Sequence, residues 1–284
     1  MERPVRTVAA VHDISGIGRC ALTVAIPVIS CMGAQVCPVP TACLSYHTGF
    51  TGIKPIVATD LTEYVGRQLK AWAEGGDRFD SIYTGYLGSP AQAQLIEEFF
   101  DAQPEAMKVV DPVMGDDGKL YSGITGEMAE AMLRLCRKAT VITPNLTEYA
   151  ALTGEEYSDA PRSEDEIRRM LFKLPGKSAV ITSVPTENGP VNACRAADGS
   201  VQLIPYEAVE RSYPGTGDIF ASVLCGALTA GAEMGEAVKQ AADFVAHAIR
   251  ISLDVNMNPN YGVQLEAALP ALMARKIHTE KGDF

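Results

Sequence analysis

The tetrapeptide Gly215-Thr216-Gly217-Asp218 opens directly onto an apolar run over residues 219–228. A tight glycine turn at a helix start aims several backbone N–H groups at one point, at the positive end of the helix dipole, and so can cradle a phosphate. The acid is the informative residue, because a phosphate repels a carboxylate. Its chemical use there is to take a proton from a hydroxyl as that hydroxyl attacks phosphorus. The plainer reading is a helix start, with Thr216 or Gly217 near the cap and Asp218 complementing the dipole. The apolar helix that follows, late in an α/β chain, favours the functional reading.

Three further clusters could do chemistry. In Asp111-Pro112-Val113-Met114-Gly115-Asp116, two carboxylates could flank a hydrated Mg²⁺, which takes oxygen ligands and keeps several waters; an Asp-Pro turn followed by a solvated acidic turn explains Asp116 equally well, while for Asp111 the functional reading is favoured. In Thr143-Pro144-Asn145-Leu146-Thr147-Glu148, Asn145 and Glu148 have the spacing of a capping box. At the carboxyl end of a strand, Glu148 could instead face a metal–phosphate group. His12, Asp13, Ser15, Gly16 and Gly18, with His47 and Thr48, follow the first two strands and could line a small-molecule pocket, or be ordinary loop polarity.

These clusters need a scaffold, and the periodicity supplies one. Strands are expected over residues 5–11, 35–41, 81–84, 108–111, 140–143 and 178–182. Residues 12–18 read as a polar loop. Helices are expected from there to about residue 32, with Pro27 as a kink, and over 59–72, 91–100, 127–136, 146–152, 164–174, 218–230, 235–252 and 262–274. The prolines of the second strand favour an edge. Residues 191–207, with Gly199 between two β-like runs, read as a hairpin. Strand–helix alternation implies an α/β fold, a mainly parallel sheet covered on both faces, within one domain over residues 1–284. Ligands of such sheets bind beyond the carboxyl ends of the strands, where these clusters fall.

Composition narrows the partners. The chain has 284 residues, 47% of them hydrophobic, and a net charge of −11. That charge argues against nucleic acid or an anionic membrane as the main partner, and leaves an anionic substrate to local N–H groups, single cations or a metal. The seven cysteines include no C-x-x-C pair, and the four histidines lack metal-ligand spacing, so buried reduced thiols and a cytoplasmic location are expected. Residues 20–46 carry no charged side chain, but their prolines and Gly33 favour a buried helix and strand over a membrane span. Residues 1–4 adjoin no apolar h-region, so no signal peptide is expected.

Taken in order, the motifs resemble the ribokinase-like superfamily, and within it the pyridoxal/pyridoxine kinases. Ser45-Tyr46-His47-Thr48-Gly49-Phe50 resembles the family's S-N-H-T-G-Y segment, and Thr84-Gly85-Tyr86-Leu87-Gly88 its T/S-G-Y-L-G segment. Asp111–Gly115, Ile142-Thr143-Pro144-Asn145 with Glu148, and the glycine turn complete the set. The resemblance implies a three-layer αβα sandwich and an ATP-dependent kinase for pyridoxal, pyridoxine or pyridoxamine, acting on the 5′-hydroxymethyl group. It implies that Asp218 is the base and that Gly215, Thr216 and Gly217 form the anion hole. Asp111 and Glu148 would order Mg²⁺. Thr143, Thr182, Ser183 and Arg211 would meet ATP, with Asp111, Glu148, Gly215 and Gly217. His12, Asp13, Thr48 and Tyr86 would meet the vitamer. It also implies a homodimer and leaves room for a monovalent cation. One segment departs from the pattern: the usual Ser-His is Val11-His12, and His12-Asp13-Ile14-Ser15-Gly16 resembles the S-D-x-S-G segment of hydroxymethylpyrimidine kinases. A hydroxymethylpyrimidine kinase, and a non-catalytic B6-binding protein, are therefore the alternatives; a sugar kinase fits less well, because the segment between the first two strands is too apolar.

Overall fold

Alternation along the first apolar run decides the layering: Val8 and Ala10 pack into one core, while Ala9 and Val11 pack into another on the opposite face of the sheet. The computed structural model describes residues 5–53, 56–209 and 211–277, with only the backbone of 274–277; residues 1–4 and His278 lie outside. In chain order the elements begin β1 (Arg6–Ile17), α1 (Leu22–Cys31), β2 (Ala34–Tyr46), β3 (Ala58–Asp60), α2 (Thr62–Gly75), β4 (Ser81–Thr84) and α3 (Pro90–Ala102). They continue as β5 (Met107–Val110), β6 (Gly115–Asp116), β7 (Lys119–Leu120), α4 (Gly126–Lys138), β8 (Val141–Ile142), α5 (Leu146–Thr153), α6 (Glu164–Lys173) and β9 (Ser178–Val184). Last come β10 (Val191–Arg195), β11 (Val201–Pro205), α7 (Thr216–Thr229), α8 (Met234–Asp254), a 3₁₀ turn (Pro259–Tyr261), α9 (Leu265–Ala268) and α10 (Pro270–Ile277).

Nine strands form one sheet in the order β11-β10-β9-β8-β5-β4-β1-β2-β3. The six strands from β9 to β2 are parallel; β3 pairs antiparallel with β2, β10 antiparallel with β9, and β11 antiparallel with β10. Helices α2 to α6 bury one face; α1 and α7 to α10 bury the other. The fold is the three-layer α/β sandwich that the motifs imply, and residues 191–207 form the expected hairpin. Cys20, Cys136, Cys194 and Cys225 are buried, while Cys43 is exposed. No helix among the described residues is long and apolar enough to cross a membrane.

Several expectations need correction. Residues 12–17 are not a loop: β1 continues through them, because a bulge between His12 and Ile14 lets its pairing with β2 resume as far as Ile17. Residues 58–60 are strand rather than helix. The helix expected over 262–274 is broken, since Pro270 has no N–H to continue it. By contrast, Pro27 leaves α1 as one helix. Pro38 and Pro40 lie on a stretch of β2 that pairs only with β1, because β3 covers just Ala42 to Leu44; the edge expectation therefore holds locally.

Candidate active site

The order of the strands fixes where a ligand can enter. From β1 the chain builds outward to β2 on one side and through β4, β5, β8 and β9 on the other, so the switch point lies between β1 and β4. Crevices at such points, beyond the strands' carboxyl ends, are the ligand sites of open α/β sheets. The β1–β4 ladder ends at Val11 and Thr84, which places His12 and Gly85 at that crevice. Gly85 has to lack a side chain, since a Cβ there would overlap the His12 ring.

Helix α7 points its first turn into the same crevice. Gly215 is its N-cap, with φ 85°, and no side chain caps the turn. The Thr216 hydroxyl donates back to the Tyr213 carbonyl at 3.1 Å, leaving the backbone N–H groups of the turn as the donors facing the cleft. Asp218 follows within that turn. Its Oδ2 accepts the Ala21 N–H at 2.8 Å, and its Oδ1 lies 3.0 Å from His12 Nε2. Burial alone would raise the Asp218 pKa, but the His12 charge, the hydrogen bond to His12 and the Ala21 N–H outweigh it and hold the carboxyl below its ordinary range. Burial likewise opposes charge on His12, yet Asp218 and Asp13 push the imidazole up to about 10.

A second pair of acids lies across the cleft. Asp111, at the end of β5, accepts the Thr143 hydroxyl at 3.3 Å. Burial, and then the charge of Asp218, push its carboxyl up to about 7. Glu148 does form the capping box with Asn145, but it is buried rather than solvated. Its two oxygens accept the N–H groups of Met114 at 3.1 Å and Asn145 at 2.9 Å. Burial and Asp111 nevertheless hold its pKa well above the usual value. The capping and buried-acid readings thus apply to one residue at once.

The cleft has a volume of about 550 Å³. It brings together His12, Asp13, Thr48, Tyr86, Asp111, Thr143, Glu148, Thr182, Ser183 and the whole glycine turn to Asp218. Arg211 is not among them: it hydrogen-bonds Asn256 at 3.2 Å and lies over the Tyr213 ring. Ser183 sits at the end of β9 with φ 56°, a strained backbone held by donation of its N–H to Asn192. The lining also includes Leu44, Tyr121, Ser122 and Ala21, which carried no sequence signal. Ala21 in particular contributes only a backbone N–H, and its φ of 53° is invisible in its residue type.

The electrostatics of the lining have a clear sign. Asp13, Asp111, Asp116, Glu148 and Asp218 all contribute, and among the described residues no lysine or arginine does. A polyphosphate entering such a cleft needs a cation to accompany it. Two buried carboxylates, of which Asp111 raises the pKa of Glu148, offer oxygen donors of the kind a hydrated Mg²⁺ takes; among the described residues no group of three or more ligating side chains is found.

Comparison with known proteins agrees with this geometry. Residues 26–263 match the model of the phosphomethylpyrimidine kinase family. A pyridoxine/pyridoxal/pyridoxamine kinase of Bordetella avium is 30% identical over 246 residues, covering 82% of this chain and 80% of the relative. A Bacteroides thetaiotaomicron protein, provisionally assigned as a phosphomethylpyrimidine kinase, superposes with a TM-score of 0.88 at 39% identity, covering 96% of this chain and 95% of its own. That protein was also solved in an orthorhombic form with pyridoxal. The pyridoxal kinase of Lactobacillus plantarum superposes with a TM-score of 0.88 at 32% identity, over 97% of this chain and 99% of its own. Fold, cleft and relatives converge at one level: the chain belongs to the phosphomethylpyrimidine kinase family, ribokinase-like, ATP-dependent kinases acting on a hydroxymethyl group of a small metabolite.

Proposed function

We propose that the chain transfers the γ-phosphoryl group of ATP to the hydroxymethyl group of a B6 vitamer, with Asp218 as the base. The observation that carries this reading is the position of Asp218: it sits in the first turn of α7, beside uncapped N–H groups, in a cleft that also contains Thr48 and Tyr86. The vitamer is supported by the B. avium and L. plantarum relatives and by the Bacteroides form with pyridoxal. A second acceptor, hydroxymethylpyrimidine, is favoured by the family model and by the His12-Asp13-Ile14-Ser15-Gly16 segment.

The chemistry follows from the placement. An alkanol is far less acidic than an Asp, so Asp218 aligns the acceptor hydroxyl and takes its proton late, as the new O–P bond forms and ADP departs. The N–H groups of Gly215, Thr216 and Gly217 stabilise charge on the transferring phosphoryl. Thr182 and Ser183 supply hydroxyl donors for the nucleotide phosphates, Thr143 stands beside them with its hydroxyl on Asp111, and Thr48 and Tyr86 line the space for the acceptor ring. Mg²⁺ held through waters by Asp111 and Glu148 would neutralise polyphosphate charge. Arg211 receives no contact in this scheme.

ADP release measured against pyridoxal, pyridoxine, pyridoxamine and hydroxymethylpyrimidine, with and without Mg²⁺, tests the reading. Turnover of a vitamer at least about 10-fold faster than of the pyrimidine is expected, and only with Mg²⁺. The reverse order assigns the pyrimidine; tight vitamer binding with no ATP consumption by any acceptor assigns a non-catalytic binding protein.

The acid pair makes a separate prediction. A carboxyl raised in the folded state stabilises fully below its unfolded pKa, and that stabilisation is lost as pH rises through the folded value. For Asp111 the window runs from its ordinary range to about 7, and Glu148 shifts in the same direction. The protein without metal therefore loses stability across this window, and a cation at the pair offsets the loss. MgCl₂, compared with KCl at matched ionic strength, is expected to raise the melting temperature more at about pH 8 than at about pH 5.5. Equal shifts at both pH values would place the ion elsewhere.

A further inference from the structure

His12 has no ring nitrogen to offer a ligand. Its Nδ1 lies 2.9 Å from Asp13 Oδ1 and its Nε2 3.0 Å from Asp218 Oδ1. The other oxygen of Asp13 accepts the Ser15 hydroxyl at 3.0 Å. Gly85 packs against the ring so closely that a methyl group would overlap it, and the Tyr86 N–H approaches the two ring nitrogens at 3.3 and 3.4 Å. Ser15, Asp13 and His12 are all buried, and they run in line to the carboxylate of Asp218, whose second oxygen is pinned by Ala21. The pairing of β1 with β2 shifts register within this segment, between His12 and Ile14, with the extra residue on β2.

We propose that Ser15, Asp13 and His12 form a positioning rod for Asp218, turning its carboxylate toward the acceptor hydroxyl, and that His12 does not recognise the acceptor ring. The proposal rests on Asp218 being the base. The charged or titratable groups around His12 and Asp218 are Asp13 on β1, Asp111 after β5, Tyr83 on β4, Cys20 after β1 and His47 after β2. Two carboxylates facing one buried space do not both ionise cheaply. Of Asp111 and Asp218, it is Asp218 that lies within hydrogen-bond distance of His12, at 3.0 Å.

A double-mutant cycle separates positioning from ring recognition. His12→Gln, Asp218→Asn and the double variant are assayed with Mg-ATP and, in parallel, pyridoxal and hydroxymethylpyrimidine. His12→Gln is expected to lower kcat by about 10- to 100-fold with acceptor KM within about 3-fold, and to change kcat by less than about 3-fold when Asp218 is already Asn. A raised acceptor KM at unchanged kcat, or the same loss in both backgrounds, overturns the proposal. If His12→Gln does not fold, the near-isosteric Asp13→Asn replaces it under the same thresholds. Nearly normal turnover of Asp218→Asn would instead refute the base assignment, and the rod is then decided without turnover, by ¹⁵N spectra of the His12 ring. Both ring nitrogens are expected to carry protons at about pH 8 in the unaltered protein, and Asp218→Asn to remove that state; a neutral His12 in the unaltered protein would refute the rod.

Discussion

Replacing Asp218 with Asn is expected to lower kcat by about 10²- to 10⁴-fold, the range for loss of a positioned general base. The substitution keeps the shape of the side chain, and an amide oxygen can still accept the Ala21 N–H, but the buried charge pair with His12 is lost, so the melting temperature should fall while the fold is kept. It also removes a negative charge that raises the pKa of Asp111. ATP should therefore bind the variant at least as tightly as the unaltered protein, because one carboxylate fewer opposes its phosphates. Steady-state turnover and calorimetric ATP binding check the two halves separately. Turnover within about 3-fold of normal would remove Asp218 from the base role. Lost turnover together with lost ATP binding would point to a collapsed cleft rather than to missing proton transfer.

Gly215→Ala is the second large effect, and its cause is backbone geometry. Gly215 has φ 85°, and a Cβ there would overlap the Arg19 carbonyl oxygen and lie 3.1 Å from the Arg19 carbonyl carbon and 3.2 Å from Cys20 Cα. None of these atoms is a flexible side-chain end. The left-handed backbone alone costs an alanine about 1–2 kcal/mol. The overlap then forces the start of α7 away from the turn that supplies the Ala21 N–H, displacing the phosphate cradle and the anchor of Asp218 together. A fall in kcat of at least about 10²-fold is expected, as when a single oxyanion donor is lost. Gly217 provides the control, since nothing lies within 4 Å of a Cβ placed on it. Gly217→Ala should leave the denaturation midpoint unchanged or slightly higher, given the helix preference of alanine. Equal destabilisation by the two substitutions would mean that the packing against Arg19 does not hold the turn.

Much of this architecture was legible in the sequence because hydrophobic periodicity and glycine turns are local signals. The parallel strands from β4 onward, the 191–207 hairpin and the clustering of Asp111, Glu148 and Asp218 beyond the strand ends all followed from them. What failed was non-local. Residues 12–17 look like a loop because they are polar and glycine-containing, and only a partner strand with a bulge makes them β1. The 3.0 Å contact of His12 Nε2 with Asp218, 206 residues later, has no local signal. Arg211 stands four residues before the glycine turn, yet nearness in sequence did not bring it into the cleft. Ala21 has no side-chain chemistry to announce its role.

Contacts of residues in and beside the cleft join distant parts of the chain. His12 meets Asp218, and the segment bearing His47 and Thr51 meets Asn260: His47 Nε2 lies 2.8 Å from the Asn260 carbonyl oxygen, and the Thr51 hydroxyl donates to the Asn260 side chain at 3.0 Å. A growing polypeptide can pair the central strands as they leave the ribosome, but it lacks Asp218 and the N–H groups of the glycine turn until α7 has emerged, and the partner of His47 and Thr51 until Asn260 follows. On the proposed roles, a product arrested upstream of α7 would lack both the base and the N–H groups of the glycine turn, and would be catalytically silent rather than a partial enzyme drawing on ATP.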